Sequence, residues 1–391
     1  MLLIGRSEVR PLNFMRIGID IRVIGKKRTG DEVYFFNLVK NLAAIDQKNE
    51  YSLYTDRDPE KDEGLAREIA KLELGENLKV VFVKNTNRFC WNFRYLPMYL
   101  KKNPVDIFHT QYIAPFRLPK NIKLVLTIHD ISFNFFPQHI KKSDLVFLKT
   151  LIPRSIQRAD KIIAVSKSEK KNIIDFYKLS PEKVDFTYNG VNYQKFNQKF
   201  SPEKIKEINT KYQIPNTRYI LYIGTFQPRK NIPVLIESIK NLDIKLILAG
   251  NREAHNFDKR IDEAIEKNNL KNKVIFPGWI DEDDKPFLLQ SASCFVFPSL
   301  YEGFGIPVIE AMSAGTPVIC SNIPVLQELA DDTALFCDPK NSGDFTKNIQ
   351  KILINENLRN NLVKKGRDTA QKFIWQKTAE KTLEIYTSLI K

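Results

Sequence analysis

One glycine-containing segment of the chain, SLYEGFGIPVIEAMSAGTPV, combines residue types that suit a phosphorylated ligand. Gly303 and Gly305 follow an apolar strand, and Pro307 suits the first turn of a helix, where a missing N–H costs nothing. The start of that helix would offer free backbone N–H groups to an anion. Glu302 precedes this anion site, and Glu310 is expected in the first helical turn. Because like charges repel, the two carboxylates suit sugar and ribose hydroxyls rather than the phosphate.

The same segment resembles the donor-site signature of the retaining glycosyltransferases of family 4, also called glycosyl transferases group 1. Upstream, Gly224, Arg229 and Lys230 belong to YIGTFQPRKNIPVLIESI, which is similar to that family's other donor motif. An arginine there would clamp a diphosphate with its planar fork, and a lysine would act as a point charge. The resemblance runs from about Arg16 to the C-terminus and implies the GT-B fold. The start GIDIR and the HD-aromatic loop look like those of mannosyltransferase-type members.

The resemblance implies a donor-binding set in the second half of the chain: Gly224, Arg229, Lys230, Gly278, Trp279, Ile280, Glu302, Gly303, Phe304, Gly305 and Glu310. In this set the Arg-Lys pair would hold the pyrophosphate, helped by backbone N–H groups of Phe304 and Gly305. Glu310 would accept hydrogen bonds from the ribose, and Glu302 would contact the transferred sugar. Residues 278–280 fall where the family's backbone meets the nucleobase.

The first half of the chain should hold the acceptor. His129 and Asp130 end an apolar strand, and in an open α/β sheet a strand end points at the ligand cleft. The family has a histidine here near the reacting sugar, which implies that His129 positions the sugar or the acceptor. Gly30 matches the family's first turn, but Asp31 and Glu32 replace smaller residues. These acids either cap a helix or, if the turn faces the cleft, bind acceptor hydroxyls; we include Asp31 in the acceptor set.

The remaining histidines and one acidic run are not predicted to do chemistry. His109 is interpreted as a satisfied core histidine, and His139 and His255 are given no role. Asp281–Asp283 resembles the metal-binding DxD signature of the other glycosyltransferase fold. It lies where a helix should begin, so capping and the helix dipole are a sufficient explanation. We therefore expect neither a metal nor any other cofactor.

The expected reaction is transfer of a sugar from a nucleoside diphosphate sugar to an acceptor hydroxyl, with retention of anomeric configuration. His129, Arg229, Lys230 and Glu302 form the expected catalytic set. GDP-mannose is the first donor to consider and a UDP-sugar the second, with a surface polysaccharide or a lipid-linked sugar as the acceptor. A sugar-nucleotide epimerase on the same fold is the main alternative. A nucleic-acid-binding protein is a weaker alternative, because no recognised nucleic-acid module is present.

Apolar strand-like runs alternate with amphipathic stretches along the chain, and after about residue 216 the pattern restarts. Such alternation predicts two doubly wound parallel sheets in α/β architecture, facing each other across a cleft. The predicted division is an N-terminal extension or tail (1–14), an acceptor-side domain (15–200), a donor domain (201–372) and a C-terminal helix that returns to the first domain (373–391).

The 391 residues carry a formal net charge of +15. Residues 1–200 hold 35 Lys+Arg and 22 Asp+Glu, a net of +13, whereas residues 201–391 hold 26 and 24, a net of +2. A basic acceptor domain suggests docking on an anionic membrane face. The candidate basic groups are Lys101–Lys102, Lys141–Lys142 and Lys167–Lys171.

The cysteines and the apolar segments bear on the cellular compartment. Cys90, Cys294, Cys320 and Cys337 have no metal-ligand spacing, and we interpret them as reduced thiols of a cytoplasmic protein. No segment has the apolar length of a signal peptide core or of a bilayer span. The expected location is the cytoplasm, with peripheral attachment to the cytoplasmic membrane face as an extension of that expectation.

Overall fold

The computed structural model of the protein describes residues 14–26, 30–87, 90–253 and 256–390. The predicted N-terminal extension lies outside the described residues except for Phe14, and His255 lies outside them as well. Among the helices that the structure describes, none is long and apolar enough to cross a membrane.

The first half of the described chain forms a parallel sheet in the order β3-β2-β1-β4-β5-β6-β7. Its strands are β1 (Arg16–Asp20), β2 (Glu50–Thr55), β3 (Leu78–Phe82), β4 (Ile107–Gln111), β5 (Lys123–Ile128), β6 (Lys161–Ala164) and β7 (Val184–Phe186). The central strands β1, β4 and β5 are almost entirely buried. Near-continuous apolar strands of this kind need helices on both faces of the sheet.

The helices of this half connect successive strands. They are α1 (Gly30–Ile45), α2 (Glu63–Ala70), a π-helical turn (Trp91–Tyr95) continued by α3 (Leu96–Lys102), α4 (Ser132–Phe135), α5 (Lys142–Arg158), α6 (Lys167–Tyr177) and α7 (Tyr193–Phe196).

The second half forms a parallel sheet in the order β10-β9-β8-β11-β12-β13. Its strands are β8 (Tyr219–Ile223), β9 (Lys245–Ala249), β10 (Val274–Gly278), β11 (Cys294–Phe297), β12 (Val318–Ser321) and β13 (Ala334–Cys337). Its helices are α8 (Pro202–Tyr212), α9 (Ile232–Ser238), α10 (Arg260–Lys267), α11 (Lys285–Ser291), α12 (Ile306–Ala314), α13 (Pro324–Ala330), α14 (Ser342–Ile354), α15 (Glu356–Ala370) and α16 (Trp375–Ile390). The prediction of two doubly wound parallel sheets is confirmed.

The last helix, α16, packs against α1 of the first half. Tyr386 of α16 is fully buried and contacts the ring of His109, with the Tyr386 hydroxyl 2.5 Å from His109 Nδ1. The larger hydrophobic core therefore runs through both halves and includes the C-terminal helix. The C-terminal helix thus connects the two halves, and the carboxyl ends of both sheets line a shared cavity.

Candidate active site between the two sheets

A cavity of about 430 Å³ lies between the carboxyl ends of the two sheets. Every predicted site residue except Gly278 lines this cavity, and both halves contribute to its wall. Gly278 is the last residue of β10 and has a φ of +81°, and only its successors Trp279 and Ile280 reach the cavity. Trp279 is half exposed at the rim, whereas Ile280 is buried. The cavity has the size and position expected of a ligand site in a doubly wound fold.

The glycine-containing loop leads from β11 into α12, as the sequence predicts. Gly305 is the residue before the helix and has a φ of +126°, a conformation that favours glycine. Pro307 occupies the first turn, and the residues from Gly303 to Pro307 line the cavity, so the N-terminus of α12 faces it. One detail was wrong: α12 begins at Ile306, so Glu310 starts the second turn. It still faces the cavity, because residues four apart share a helix face.

Arg229 and Lys230 converge on the carboxylate of Glu302. Lys230 Nζ lies 2.6 Å from Glu302 Oε1, and Arg229 Nη1 lies 3.3 Å from Glu302 Oε2. Burial raises the pKa of Glu302, but the two cations outweigh burial and hold it below its usual value. Burial and then repulsion from Arg229 lower the pKa of Lys230. Two buried cations therefore face Glu302 and, beside Arg229, Asp130, so the cluster holds two positive and two negative charges next to the N-terminus of α12.

Glu310 is paired with Lys285, a residue that the sequence analysis missed. Lys285 Nζ lies 3.1 Å and 3.3 Å from the two Glu310 carboxylate oxygens and 2.9 Å from Glu282 Oε1. Burial raises the pKa of Glu310 to about 6, although Lys285 opposes that rise. The only signal in the sequence was a lysine directly after an acidic run, a pattern that surface helices also show.

His129 is held at the end of β5 by neighbours that the sequence analysis did not identify. Its Nε2 lies 2.9 Å from Gln111 Oε1, and its ring meets those of Tyr34 and Tyr112 at centroid distances of 5.0 Å and 5.7 Å. Burial lowers the pKa of His129 more than Asp31 and Asp130 raise it. A neutral imidazole donating to the Gln111 amide oxygen suits orientation of a substrate hydroxyl, because its other ring nitrogen can then only accept.

The acidic residues Asp31 and Glu32, near the first turn, and Asp130, after β5, have different partners and different roles. Asp31 lines the cavity, with its Oδ1 3.9 Å from His129 Nε2. Glu32 is buried, and its carboxylate accepts the backbone N–H of Gly25 at 2.7 Å, so it stabilises the preceding loop. Asp130, assigned to the acceptor side, also lies 3.8 Å from Arg229 of the donor side. The acceptor and donor residues therefore meet at Asp130.

The interpretation of His109 as a satisfied core histidine is confirmed. It is fully buried between the hydroxyls of Tyr386 and Thr127, at 2.5 Å and 2.7 Å from its two ring nitrogens. Burial lowers the pKa of His109 to about 3, so it stays neutral. His139 stacks on Phe136 with ring centroids 5.5 Å apart.

The capping explanation for Asp281–Asp283 was wrong. Helix α11 begins at Lys285 without a side-chain cap. Asp281 instead lies 2.6 Å from Lys211, and Asp283 lies 2.8 Å from Lys195. Ion pairs therefore account for the run: Asp281 and Asp283 bind lysines of preceding segments, and Glu282 binds Lys285. Within the described ranges, no three His, Cys, Asp or Glu side chains form a metal-binding group.

Comparisons with known proteins agree with this geometry. The family described as Glycosyltransferase Family 4 matches residues 28–195, and the family described as Glycosyl transferases group 1 matches residues 204–369. The O-antigen chain mannosyltransferase B of Escherichia coli is 29% identical over 308 residues, which cover 77% of each chain.

Solved structures share the architecture at low sequence identity. Sucrose-phosphate synthase from Thermosynechococcus elongatus superposes with a TM-score of 0.77 at 21% identity, over 96% of this chain and 99% of that chain. Anabaena HepE in complex with UDP-glucose superposes with a TM-score of 0.74 at 18% identity, over 96% of this chain and 100% of that chain. Both likenesses show the fold. With a family 4 match on its first half and a group 1 match on its second, the chain belongs to the GT-B glycosyltransferases of family 4, group 1.

Proposed function

We propose that this glycosyltransferase moves a sugar from a nucleoside diphosphate sugar to a hydroxyl of a glycan or lipid-linked acceptor in polysaccharide or glycolipid synthesis. The observation that carries the proposal is the Arg229–Lys230 pair beside the N-terminus of α12, with Glu302 and Glu310 on either side. GDP-mannose is the first donor to test and a UDP-sugar the second. The name of the Escherichia coli relative supports mannose, and the UDP-glucose complex of HepE supports a nucleotide sugar in this fold.

The charge arrangement suits a departing diphosphate. Arg229 and Lys230 form ion pairs with Glu302, and a bound diphosphate would take over these cations and leave Glu302 to accept sugar hydroxyls. Fixed cations and helix N–H groups stabilise leaving-group charge without reorganisation at the moment of reaction. Glu310, oriented by Lys285, would accept from the ribose.

Retention fits attack from the face that the diphosphate leaves. In that step the acceptor oxygen bonds to the anomeric carbon, the carbon–oxygen bond to phosphate breaks, and the acceptor proton passes to the leaving phosphate oxygen. Asp130 supports this proposal, because its carboxylate already accepts the hydroxyl of Ser132 at 2.6 Å and the backbone N–H of the same residue at 3.0 Å. A carboxylate held in this way is a poor nucleophile toward carbon. His129 and Asp31 would orient the acceptor.

The proposal also includes metal independence and attachment to an anionic membrane face. Cations already supplied by the chain would do the work of a metal on the diphosphate. For the membrane, Lys101–Lys102 is the strongest of the three predicted groups, because it ends a helix whose Met98 is 52% exposed. Phe116, 60% exposed, packs on Phe93 of the π-helical turn that precedes this helix, with ring centroids 5.7 Å apart. Basic residues flanking exposed apolar side chains suit a membrane interface.

The experiment is a panel of nucleotide sugars, including GDP-mannose and UDP-glucose, scored by nucleoside diphosphate release with and without acceptor lipid extract. We expect release of GDP from GDP-mannose, unchanged by EDTA, and an α-linked product by NMR. Lys230→Ala should reduce turnover by about 100-fold or more, whereas Lys240→Ala, an exposed lysine of the same half, should not.

Three results would contradict parts of this proposal. Turnover by Lys230→Ala at the wild-type rate would reject the diphosphate assignment. Loss of activity in EDTA, restored by a divalent cation, would reject metal independence. An isomerised nucleotide sugar formed without acceptor would identify an epimerase instead.

A further inference from the structure

Glu169 is a fully buried carboxylate that contacts both halves of the chain just behind the cavity wall. It belongs to the first turn of α6. Its Oε1 accepts the backbone N–H of Ile131 at 2.7 Å. Its Oε2 accepts the hydroxyl of Tyr301 at 2.6 Å and the side-chain amide of Asn172 at 3.1 Å. One carboxylate therefore binds the loop after β5 and the loop before α12.

Both partners of Glu169 adjoin predicted site residues. Ile131 directly follows Asp130, and Tyr301 directly precedes Glu302. Arg229 links the same two loops a second time, because its guanidinium donates to the backbone oxygen of Tyr301 at 3.2 Å and lies 3.8 Å from Asp130. Displacement of the Glu169 carboxylate would therefore also displace Asp130 and Glu302, which lie on the two sides of the cavity.

The first turn of α6 also holds the donor loop on the far side of Glu302. The Ser166 hydroxyl accepts the backbone N–H of Glu169 at 3.0 Å and donates to the backbone oxygen of Gly303 at 2.7 Å. A separate contact joins the halves nearby: the carboxylate of Glu328 accepts the backbone N–H groups of the first two α6 residues, each at 2.8 Å. Glu328 ties the halves together without touching either loop, so it provides a matched comparison for Glu169.

We propose that Glu169 is a positioning residue that keeps Asp130 and Glu302 in register when the two halves meet. The inference rests on the proposed function and deepens it. Glu169 touches no part of the cavity itself, and the residues proposed to bind the diphosphate all belong to the second half. Loss of Glu169 should therefore slow sugar transfer and leave the binding of a nucleoside diphosphate intact.

The proton on Glu169 provides a readout that a purely structural contact would not give. Burial raises the pKa of Glu169 to about 8, and the charge of Asp130 contributes to the rise, against the hydrogen bonds from Tyr301 and Asn172. Tyr177 is the other titratable group that faces it, from the same helix. When the halves separate, water reaches the carboxyl and its pKa falls toward the ordinary value. Closure thus takes up a proton, and the closed arrangement weakens as the pH rises from the ordinary carboxyl range to about 8, above which the cost is constant.

The test compares Glu169→Ala, Glu169→Gln and Tyr301→Phe with Glu328→Gln, using GDP-mannose for turnover and GDP for calorimetric binding. Glu169→Ala should lower kcat by about 100-fold and leave the Kd for GDP unchanged. Glu169→Gln should keep more activity and lose the decline of kcat that the wild type shows as the pH rises toward 8. Tyr301→Phe should cost less in the Glu169→Ala background than in the wild type, because the hydrogen bond that the two side chains share is already lost; the amide of Asn172 still donates to the Tyr301 hydroxyl there.

A second measurement needs no donor and separates this inference from the proposed function. Hydrogen–deuterium exchange should show lost protection at Ile131 and at Leu300, the backbone N–H groups next to the two loop contacts of Glu169, in Glu169→Ala but not in Glu328→Gln. If the wild-type protein turned over no nucleotide sugar, the proposed function would fail and this exchange pattern would still decide the role of Glu169. Unchanged protection at the two loops, or an equal loss of kcat in Glu328→Gln, would overturn the inference.

Discussion

Two glutamates of the cavity are paired with cations of the chain itself. Glu302 is held by Lys230 and Arg229, and Glu310 by Lys285. A buried ion pair adds little net stability, but removal of one partner leaves an uncompensated charge. These pairs keep carboxylates ionised and oriented inside a cavity where burial alone would protonate them. Binding of a diphosphate sugar would exchange one set of partners for another rather than create a charged site anew.

Replacement of Lys285 by methionine tests whether this lysine keeps the buried carboxylate of Glu310 ionised. Glu310 and Glu282 would lose their shared cation, and we expect a loss of about 3 kcal/mol in the free energy of unfolding near pH 8. Without Lys285 the pKa of Glu310 rises above its present value of about 6. A carboxyl with a raised pKa in the folded state costs stability as the pH rises from its unfolded pKa through its folded pKa. The loss should therefore be smaller at pH 5 than at pH 8.

Urea denaturation at both pH values measures the effect. Lys271→Met, at a lysine whose side chain is 73% exposed, serves as the control and should change little. Addition of Glu310→Gln to Lys285→Met should recover part of the lost unfolding free energy at pH 8, because a neutral amide does not leave an unpaired charge in the cavity. An equal loss at pH 5 and pH 8 would contradict the assignment of the effect to Glu310.

At the scale of elements, the site depends on two loops that approach each other at backbone distance. A Cβ built on Gly303 would lie 1.6 Å from the carbonyl oxygen of His129, so only glycine fits between the loop before α12 and the loop after β5. Glycine is therefore required at position 303 because the backbone of the first half lies so close to it, and not because of its own φ. The sequence motif of the second half alone does not explain this requirement.

Gly303→Ala should push these loops apart and lower kcat by about 100-fold, since displacement of about 1 Å costs that much in a preorganised site. Because the larger hydrophobic core runs through both halves, the urea midpoint should also fall, and kcat is therefore measured on the folded protein. Gly64→Ala is the matched control, because a Cβ there meets its nearest neighbour, a side-chain oxygen of Asp62, at 3.4 Å. Steady-state turnover of GDP-mannose measures the difference, and wild-type turnover by Gly303→Ala would show that the close approach has no part in catalysis.

The sequence predicted those parts of the site that lie on one continuous segment. The strand–loop–helix around Gly305 and Pro307 could be predicted because glycine conformation, helix capping and strand periodicity are local properties. Lys285 and Glu169 could not be found, because their roles come from partners 25 and 38 residues away, at Glu310 and Ile131. The error over Asp281–Asp283 has the same origin: the lysines that bind those acids lie on preceding segments.

At the scale of the whole molecule, the excess charge belongs to the half that would meet the acceptor. Residues 77–129 contain nine Lys+Arg and a single acidic residue, Asp106. In the structure Asp106 pairs with Arg16, with 3.2 Å between the charged groups. The helix from Trp91 to Lys102 and the loop around Phe116 belong to this basic region, and their exposed side chains combine cations with apolar groups. Such a surface is suited to an anionic lipid face, where each basic residue contributes about 1 kcal/mol.

Lys101→Ala with Lys102→Ala should weaken binding to vesicles of phosphatidylcholine and phosphatidylglycerol by about 2 kcal/mol, or about thirtyfold. Lys347→Ala with Lys364→Ala removes the same charge from exposed positions of the second half and should leave vesicle binding unchanged. Met98→Ser with Phe116→Ser should weaken binding even at low salt, because the apolar contribution is not screened. Cosedimentation measures all four proteins. Equal pelleting of the wild type with neutral and anionic vesicles would reject the docking surface. Turnover of a water-soluble acceptor should be the same in all of these variants, because that reaction does not require the membrane.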